Sequence, residues 1–422
     1  MTPFILFGSF FFFLILTVPI GIALGLAGLI TALYSSNISI TFLTQNLVTS
    51  TDNFALMAIP FFILAGEIMG KGGISTRLFD AANVFVGRFT GGFAMAAVLT
   101  CMFFAAISGS GPATVAAIGG IMIPAMVAQG YDKKFATAVI VSAGSLGIII
   151  PPSIPLVLFG VSGGQSIGDL FLGGIVPGLI LGLAMMVWIY IYSKKKNYKG
   201  TQEKFTFYKA FHSLNNAKWS LLVPVLVLGG IYGGIFTPTE AAVIAVVYAV
   251  FVSVFLHKEM TFQDLPGIIR DAALNSVIIL LIIGTANTFG TLLSMERIPQ
   301  VLADGFLSIS QQPFVLLLLV VLLLLIIGCF IDTSAAVIIF TPILLPTAME
   351  IGIDPIHFGI LMIVSLSIGF ITPPLGVNLF VGSGISGLGM PVLARAVIPF
   401  FAVMVVSLFV IILIPELSLV FL

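Results

Sequence analysis

A single carboxylate, Asp332 in GCFIDTSAA (residues 328 to 336), stands inside otherwise apolar sequence, and two hydroxyls, Ser108 and Ser110, interrupt another apolar stretch in AISGSGPAT (106 to 114). A carboxylate so placed marks a substrate or ion path or a proton relay, or more plainly a solvated helix N-cap. The serines could give oxygens to an ion or substrate, or with their glycines could simply let helices pack closely. Two proline pairs offer a second kind of ligand: Pro151 and Pro152 in GSLGIIIPPS, and Pro373 and Pro374 in GFITPPLG. Proline removes a donor and clashes with the preceding turn, leaving upstream carbonyls without intrahelical partners. In hydrocarbon those carbonyls are costly unless buried in protein or lining a cavity. A sodium ion is one physical answer, because hard cations take oxygen ligands; a plain kink is the other. Gly147 and Gly369 let the chain turn there, and Thr372 adds a hydroxyl.

The remaining polar groups carry less. Arg297 in LLSMERIPQ could meet an anion by a bidentate contact, pair with Glu296, or reach lipid headgroups. Glu67 and Glu240 read as helix-end residues, with Thr239 a candidate cap for the helix after FTPTE. Cys101 and Cys329 lie in apolar runs and read as buried free thiols, and His212, His257 and His357 have no ligand spacing. With no nucleotide loop, nucleophile triad or transition-metal set, the sequence reads as no enzyme.

The elements that must hold these groups are membrane helices. Of 422 residues 59% are hydrophobic and 8% charged, against roughly 25% charged in a soluble domain. Apolar runs recur from end to end, the first (4 to 33) reading as one retained helix. The polar stretch 193 to 218 holds seven lysines, including Lys204, and so reads as a cytoplasmic linker between two halves. Threading outward from it leaves Arg297 alone outside among the Lys and Arg residues, and predicts a cytoplasmic N-terminus and a C-terminus outside.

Shifting the sequence by 222 residues superposes Pro124 on Pro346, Gly130 on Gly352, Asp132 on Asp354, Gly147 on Gly369, both proline pairs, and Pro177 on Pro399. An odd number of crossings separates the copies, so the repeats are inverted. That is the architecture of secondary transporters, with sites at broken helices near the midplane. The expected fold is an all-α polytopic membrane protein, an inverted-repeat transporter with two re-entrant hairpins and two broken helices. Residues 1 to 90 and 219 to 312 supply scaffold helices and arms. Residues 91 to 192 and 313 to 422 supply transport-domain repeats, with hairpins at 91 to 129 and 313 to 350 and broken helices at 135 to 164 and 355 to 385. Two full crossings in place of each hairpin satisfy the charge bias equally.

SGSGPATVAAIGGIMIPAM, AGSLGIIIPPSIP, GGIFTPTEAAVIAVVYA and ITPPLGVNLF resemble, across essentially the whole chain, the large membrane (permease) subunit of TRAP transporters, DctM/SiaM-like. The resemblance implies an elevator-type importer of a small carboxylate, such as sialic acid or a C4-dicarboxylate, coupled to Na+ and located in the bacterial inner membrane. It also implies a separate small four-helix membrane subunit and a periplasmic substrate-binding protein. By the same resemblance one sodium site uses Ser108 with Gly147, Ile150 and Pro152. The other uses Gly328 with Gly369, Thr372 and Leu375. Substrate is expected between the tips near Ser110 and Asp332, with Arg297 a further candidate. A proton-coupled organic anion carrier working through Asp332 is the alternative; a channel or an intramembrane enzyme fits the duplicated breaks less well.

Overall fold

The computed structural model describes residues 2–34, 39–200, 206–298, 300–301, 305 and 312–422. Lys204 of the linker and Pro299 of the Arg297 motif lie outside them. Among the described residues the chain is helical without strands, and nine helices are long and apolar enough to cross a membrane.

The first run is not one helix. Thr2–Ile15 (α1) and Ile20–Tyr34 (α2) are separated at Thr17, which has a positive φ of 59°, and Pro19. Phe10 packs on Phe289, whereas Gly21 meets Ile282 and Gly28 meets Leu292, so the chain doubles back on itself. At 14 and 15 residues each helix falls short of the roughly 20 needed to span. A cytoplasmic N-terminus, which rests on a single crossing here, therefore does not follow.

After Ile40–Thr49 (α3) come Ala58–Lys71 (α4) and Ile74–Val86 (α5). Then Gly92–Ser108 (α6) and Gly111–Ala128 (α7) form a helical hairpin. Lys133–Gly144 (α8) runs into a 3-10 turn at Ser145–Ile148, breaks at the first proline pair, and resumes as Ile154–Gly163 (α9). Ile167–Lys196 (α10) leads to the linker, followed by Phe207–Tyr232 (α11), Pro238–Phe251 (α12) and Leu265–Met295 (α13). The pattern then recurs. Pro313–Phe330 (α14) and Thr333–Glu350 (α15) form a second hairpin, Pro355–Gly369 (α16) and Val377–Ser386 (α17) flank the second proline pair, and Met390–Leu413 (α18) follows.

The duplication reaches the backbone. Both Pro–Pro bonds are cis, and Gly130 and Gly352 turn at φ 86° and 82°. Asp132 accepts from the amides of Lys134 and Phe135, and its counterpart Asp354 from those of Ile356 and His357. The helix at FTPTE starts two residues earlier than expected: its cap is Thr237, in a reciprocal capping box with Glu240. Thr239 instead bonds the Phe54 carbonyl at 3.1 Å. The basic residues that the charge bias places together are joined across elements, Lys71 to Asp271 at 3.8 Å and Arg77 to Glu259 at 2.6 Å.

Candidate functional site

The two hairpin tips open into one cavity of about 730 Å³. Ser108, Gly109 and Ser110 line it from the first tip, and Asp332, Thr333 and Ser334 from the second. Ser110 is the N-cap of α7, accepting from the Ala113 amide at 3.4 Å, and Asp332 is the N-cap of α15, accepting from the Ser334 amide at 2.8 Å. The half-buried Asp332 is thus a helix N-cap that also lines the cavity. Two helix N-termini face the cavity, an arrangement that favours anionic groups. The 222-residue shift also superposes Ser110 on Asp332, a correspondence the change of residue type hides in the sequence.

Each tip is tied to its own break by one backbone bond: Ile154 N–H donates to the Gly109 carbonyl at 3.2 Å, and Leu375 N–H to the Cys329 carbonyl at 3.0 Å. Around the first break Ser108 Oγ lies 3.0 Å from Thr114 Oγ1, which donates to the Ser110 carbonyl at 2.8 Å. Gly147 sits directly against them: a Cβ there would lie 2.6 Å from the Ser110 oxygen and 2.7 Å from Thr114 Oγ1. The Pro152 carbonyl faces Gly109, so Ser108, Gly147 and Pro152 surround the tip. The Ile150 side chain turns outward against Gly178.

At the second break Gly328 and Gly369 pack backbone to backbone, too close for a Cβ on Gly369. Thr372 Oγ1 donates to the Ile368 carbonyl at 2.8 Å and keeps its lone pairs. Pro373, Pro374 and Leu375 are exposed, whereas Pro151, Pro152 and Ser153 are buried. Arg297 lies past the end of α13, exposed, at φ 55°, and does not line the cavity.

Four residues that the sequence did not single out belong to this region. Ser153 Oγ donates to the Ile148 carbonyl at 2.5 Å, satisfying a group the break leaves free. Thr114 completes the oxygen cluster. Asn378 on α17 donates to the Val141 carbonyl and Ser145 Oγ, both at 3.2 Å, and its buried Oδ1, without a partner among the described residues, points at Gly111 of the first tip. That orphaned oxygen and the convergent hydroxyl and carbonyl oxygens are the donor set a hard cation takes. Lys71, at the end of α4, is the cation in the cavity lining, with Glu67 and Asn275 nearby. Its only signal in the sequence is a basic residue closing an apolar run. The wall opposite the tips is aliphatic, made by Ile63, Ile278, Ile279 and Ile282.

The chain matches the family described as "Tripartite ATP-independent periplasmic transporter, DctM component" over residues 7–417. It is 47% identical, over 99% of its length, to the isethionate TRAP transporter permease protein DctMQ of Oleidesulfovibrio alaskensis, and spans 66% of that longer protein. It is 43% identical to the C4-dicarboxylate TRAP transporter large permease protein DctM of Pseudomonas aeruginosa, covering 94% of this chain and 93% of that one. To the sialic acid large permease protein SiaM of Vibrio cholerae it is 37% identical, covering 95% and 94%. In fold it is similar to the Alcanivorax borkumensis YdaH transporter, with TM-score 0.67, 17% identity, and 90% of this chain and 89% of that one covered.

Proposed function

The chain belongs to the DctM component of the tripartite ATP-independent periplasmic transporters, and from that premise we propose that it imports a small organic acid in symport with sodium by an elevator movement. As a member of this family it is a multi-pass transporter subunit of the bacterial inner membrane, not an enzyme. The observation that carries the proposal is the shared cavity: two duplicated hairpin tips, each tied to a broken helix, meet around one space.

The substrate in this reading is an anion held by the N-termini of α7 and α15 at Ser110 and Asp332. The relatives named for isethionate, C4-dicarboxylate and sialic acid all handle organic acids, which supports the class. Sodium binds at Ser108, Gly147, Ile150 and Pro152, and at Gly328, Gly369, Thr372 and Leu375. Close backbone approach at Gly147 and Gly369, the hydroxyl and carbonyl oxygens gathered beside Gly147, and the Thr372 hydroxyl at the second break support both assignments. Residues 91 to 192 and 313 to 422 move as the transport domain against residues 1 to 90 and 219 to 312. The aliphatic wall suits that movement, since sliding past isoleucines breaks no directional bonds.

The cavity runs from the tips toward Lys71 and Asn275, near the basic helix ends that the charge bias assigns to the cytoplasm. The conformation is then the one that releases substrate inward, with Lys71 a cation on the exit path. A separate small membrane subunit and a periplasmic binding protein complete the transporter, in keeping with the family's tripartite description. Uptake into proteoliposomes containing all three proteins, with and without an inward sodium gradient, tests the coupling. Uptake indifferent to sodium but abolished with the pH gradient would replace it with proton coupling.

A further inference from the structure

Away from the tips, on the face bearing the basic residues, the start of α8 meets α18 and the last turns of α10 around a second cavity of about 420 Å³. Its polar lining is Lys134, Arg395, Asp132, Trp188 and Tyr192. The Asp132 carboxylate is committed to capping α8, accepting from the Lys134 and Phe135 amides at 2.7 and 3.3 Å. Lys134 and Arg395 form no ion pair among the described residues. Two free cations therefore converge on a cavity walled by an indole and a phenol, the latter stacked on Phe135 at 4.3 Å. Beside it Val187, Ile191 and Ile398 expose aliphatic surface, a track for acyl chains.

The internal repeat separates what the fold needs from what this face needs. The 222-residue shift places Ile356, Val410, Ile414 and Gly173 at the positions equivalent to Lys134, Trp188, Tyr192 and Arg395. The capping aspartates and Pro177 with Pro399 are kept in both copies; of the two faces that the repeat makes equivalent, only the one on the cytoplasmic side, built from Lys134, Trp188 and Tyr192 of the first copy and Arg395 of the second, carries the cations and interfacial aromatics. Backbone architecture alone does not call for them. Cytoplasmic leaflets carry anionic lipid, and Trp and Tyr settle at headgroup level. We infer that this cavity binds the phosphate headgroup of an anionic phospholipid of the cytoplasmic leaflet, with its acyl chains lying along α10 and α18.

The chain has two tryptophans, so Trp219→Phe leaves Trp188 as the sole reporter. That protein in detergent is titrated with brominated phosphatidylglycerol, brominated phosphatidylcholine, or inorganic phosphate with either lipid, reading Trp188 quenching. Phosphatidylglycerol should quench at lower concentration than phosphatidylcholine. Lys134→Gln with Arg395→Gln should weaken the phosphatidylglycerol response by about thirty-fold, the expectation for two basic groups at a membrane surface. Lys195→Gln with Lys196→Gln, on the same face outside the cavity, should leave it unchanged, and unaltered elution and melting show that each variant folds. Equal quenching by the two lipids, or a preference that survives loss of Lys134 and Arg395, overturns the inference. Displacement of the lipid by millimolar phosphate also overturns it, marking a free-anion site.

Discussion

Gly147→Ala probes the proposed sodium site at its tightest point. The new Cβ would lie 2.6 Å from the Ser110 carbonyl oxygen and 2.7 Å from Thr114 Oγ1, inside the 3.0 Å that Cβ contacts essentially never breach. The backbone of Gly147 is not left-handed, so the added methyl acts by crowding alone. The tip or the 3-10 turn must give by roughly half an ångström, about the tolerance within which a functional constellation works. Overpacking of this kind costs about 1–3 kcal/mol. An ion draws its ligand oxygens inward, toward the space the methyl fills, so the cost falls chiefly on the ion-bound state. The half-saturating sodium concentration should therefore rise by roughly 5- to 150-fold. Gly120→Ala is the matched control, since a Cβ there meets nothing within 4 Å.

The assay is initial uptake into proteoliposomes against sodium concentration, with substrate saturating, alongside melting curves without sodium. Should Gly147→Ala prove unstable, Ser108→Ala removes one oxygen from the same cluster without crowding and should shift sodium dependence in the same direction. A wild-type sodium response in both folded variants would refute the site, and so would an equal shift in Gly120→Ala.

Asp332→Asn should keep the cap, because Asn caps as well as Asp, and hold the melting temperature, while uptake changes at least tenfold as the cavity loses the negative charge that faces the anionic substrate; unchanged uptake would remove Asp332 from the substrate path. Asn378→Leu deletes bonds to the Val141 carbonyl and Ser145 Oγ and should cost about 1–3 kcal/mol, read as a lowered melt. Glu240→Ala removes the carboxylate that accepts from the Thr237 amide and hydroxyl, both at 2.8 Å, and should lower the melting temperature by undoing the capping box.

Much of this site is legible in the sequence because proline, glycine and the capping residues act on the backbone at their own positions. The proline pairs, the two tips and the ends of the broken helices can be read locally for that reason. The same local signal was available at Pro19, yet in the run from 4 to 33 an unbroken hydropathy pattern masks the reversal that Thr17 and Pro19 make. What the sequence withholds is tertiary: Asn378 is one polar residue in an apolar helix until α17 is seen to lie against α8, and Thr114 and Lys71 gain meaning only from what faces them. The repeat also hides a division of labour. Ser153 and Leu375 are equivalent positions, but Ser153 closes its break with a side-chain bond to the Ile148 carbonyl, whereas Leu375 closes its own with a backbone bond to the opposing hairpin at Cys329. The first break is therefore closed both within its own helix pair, by Ser153, and to its hairpin, by Ile154 and Gly109, and is buried, while the second is closed to its hairpin by Leu375 and stays exposed. Displacing either hairpin tip would break its backbone bond, Ile154 to Gly109 or Leu375 to Cys329. The Ser153 bond to the Ile148 carbonyl would stay in place, whereas Leu375, its equivalent, has no side-chain bond to keep, so the second break is the one that loses its closing contact when its hairpin moves.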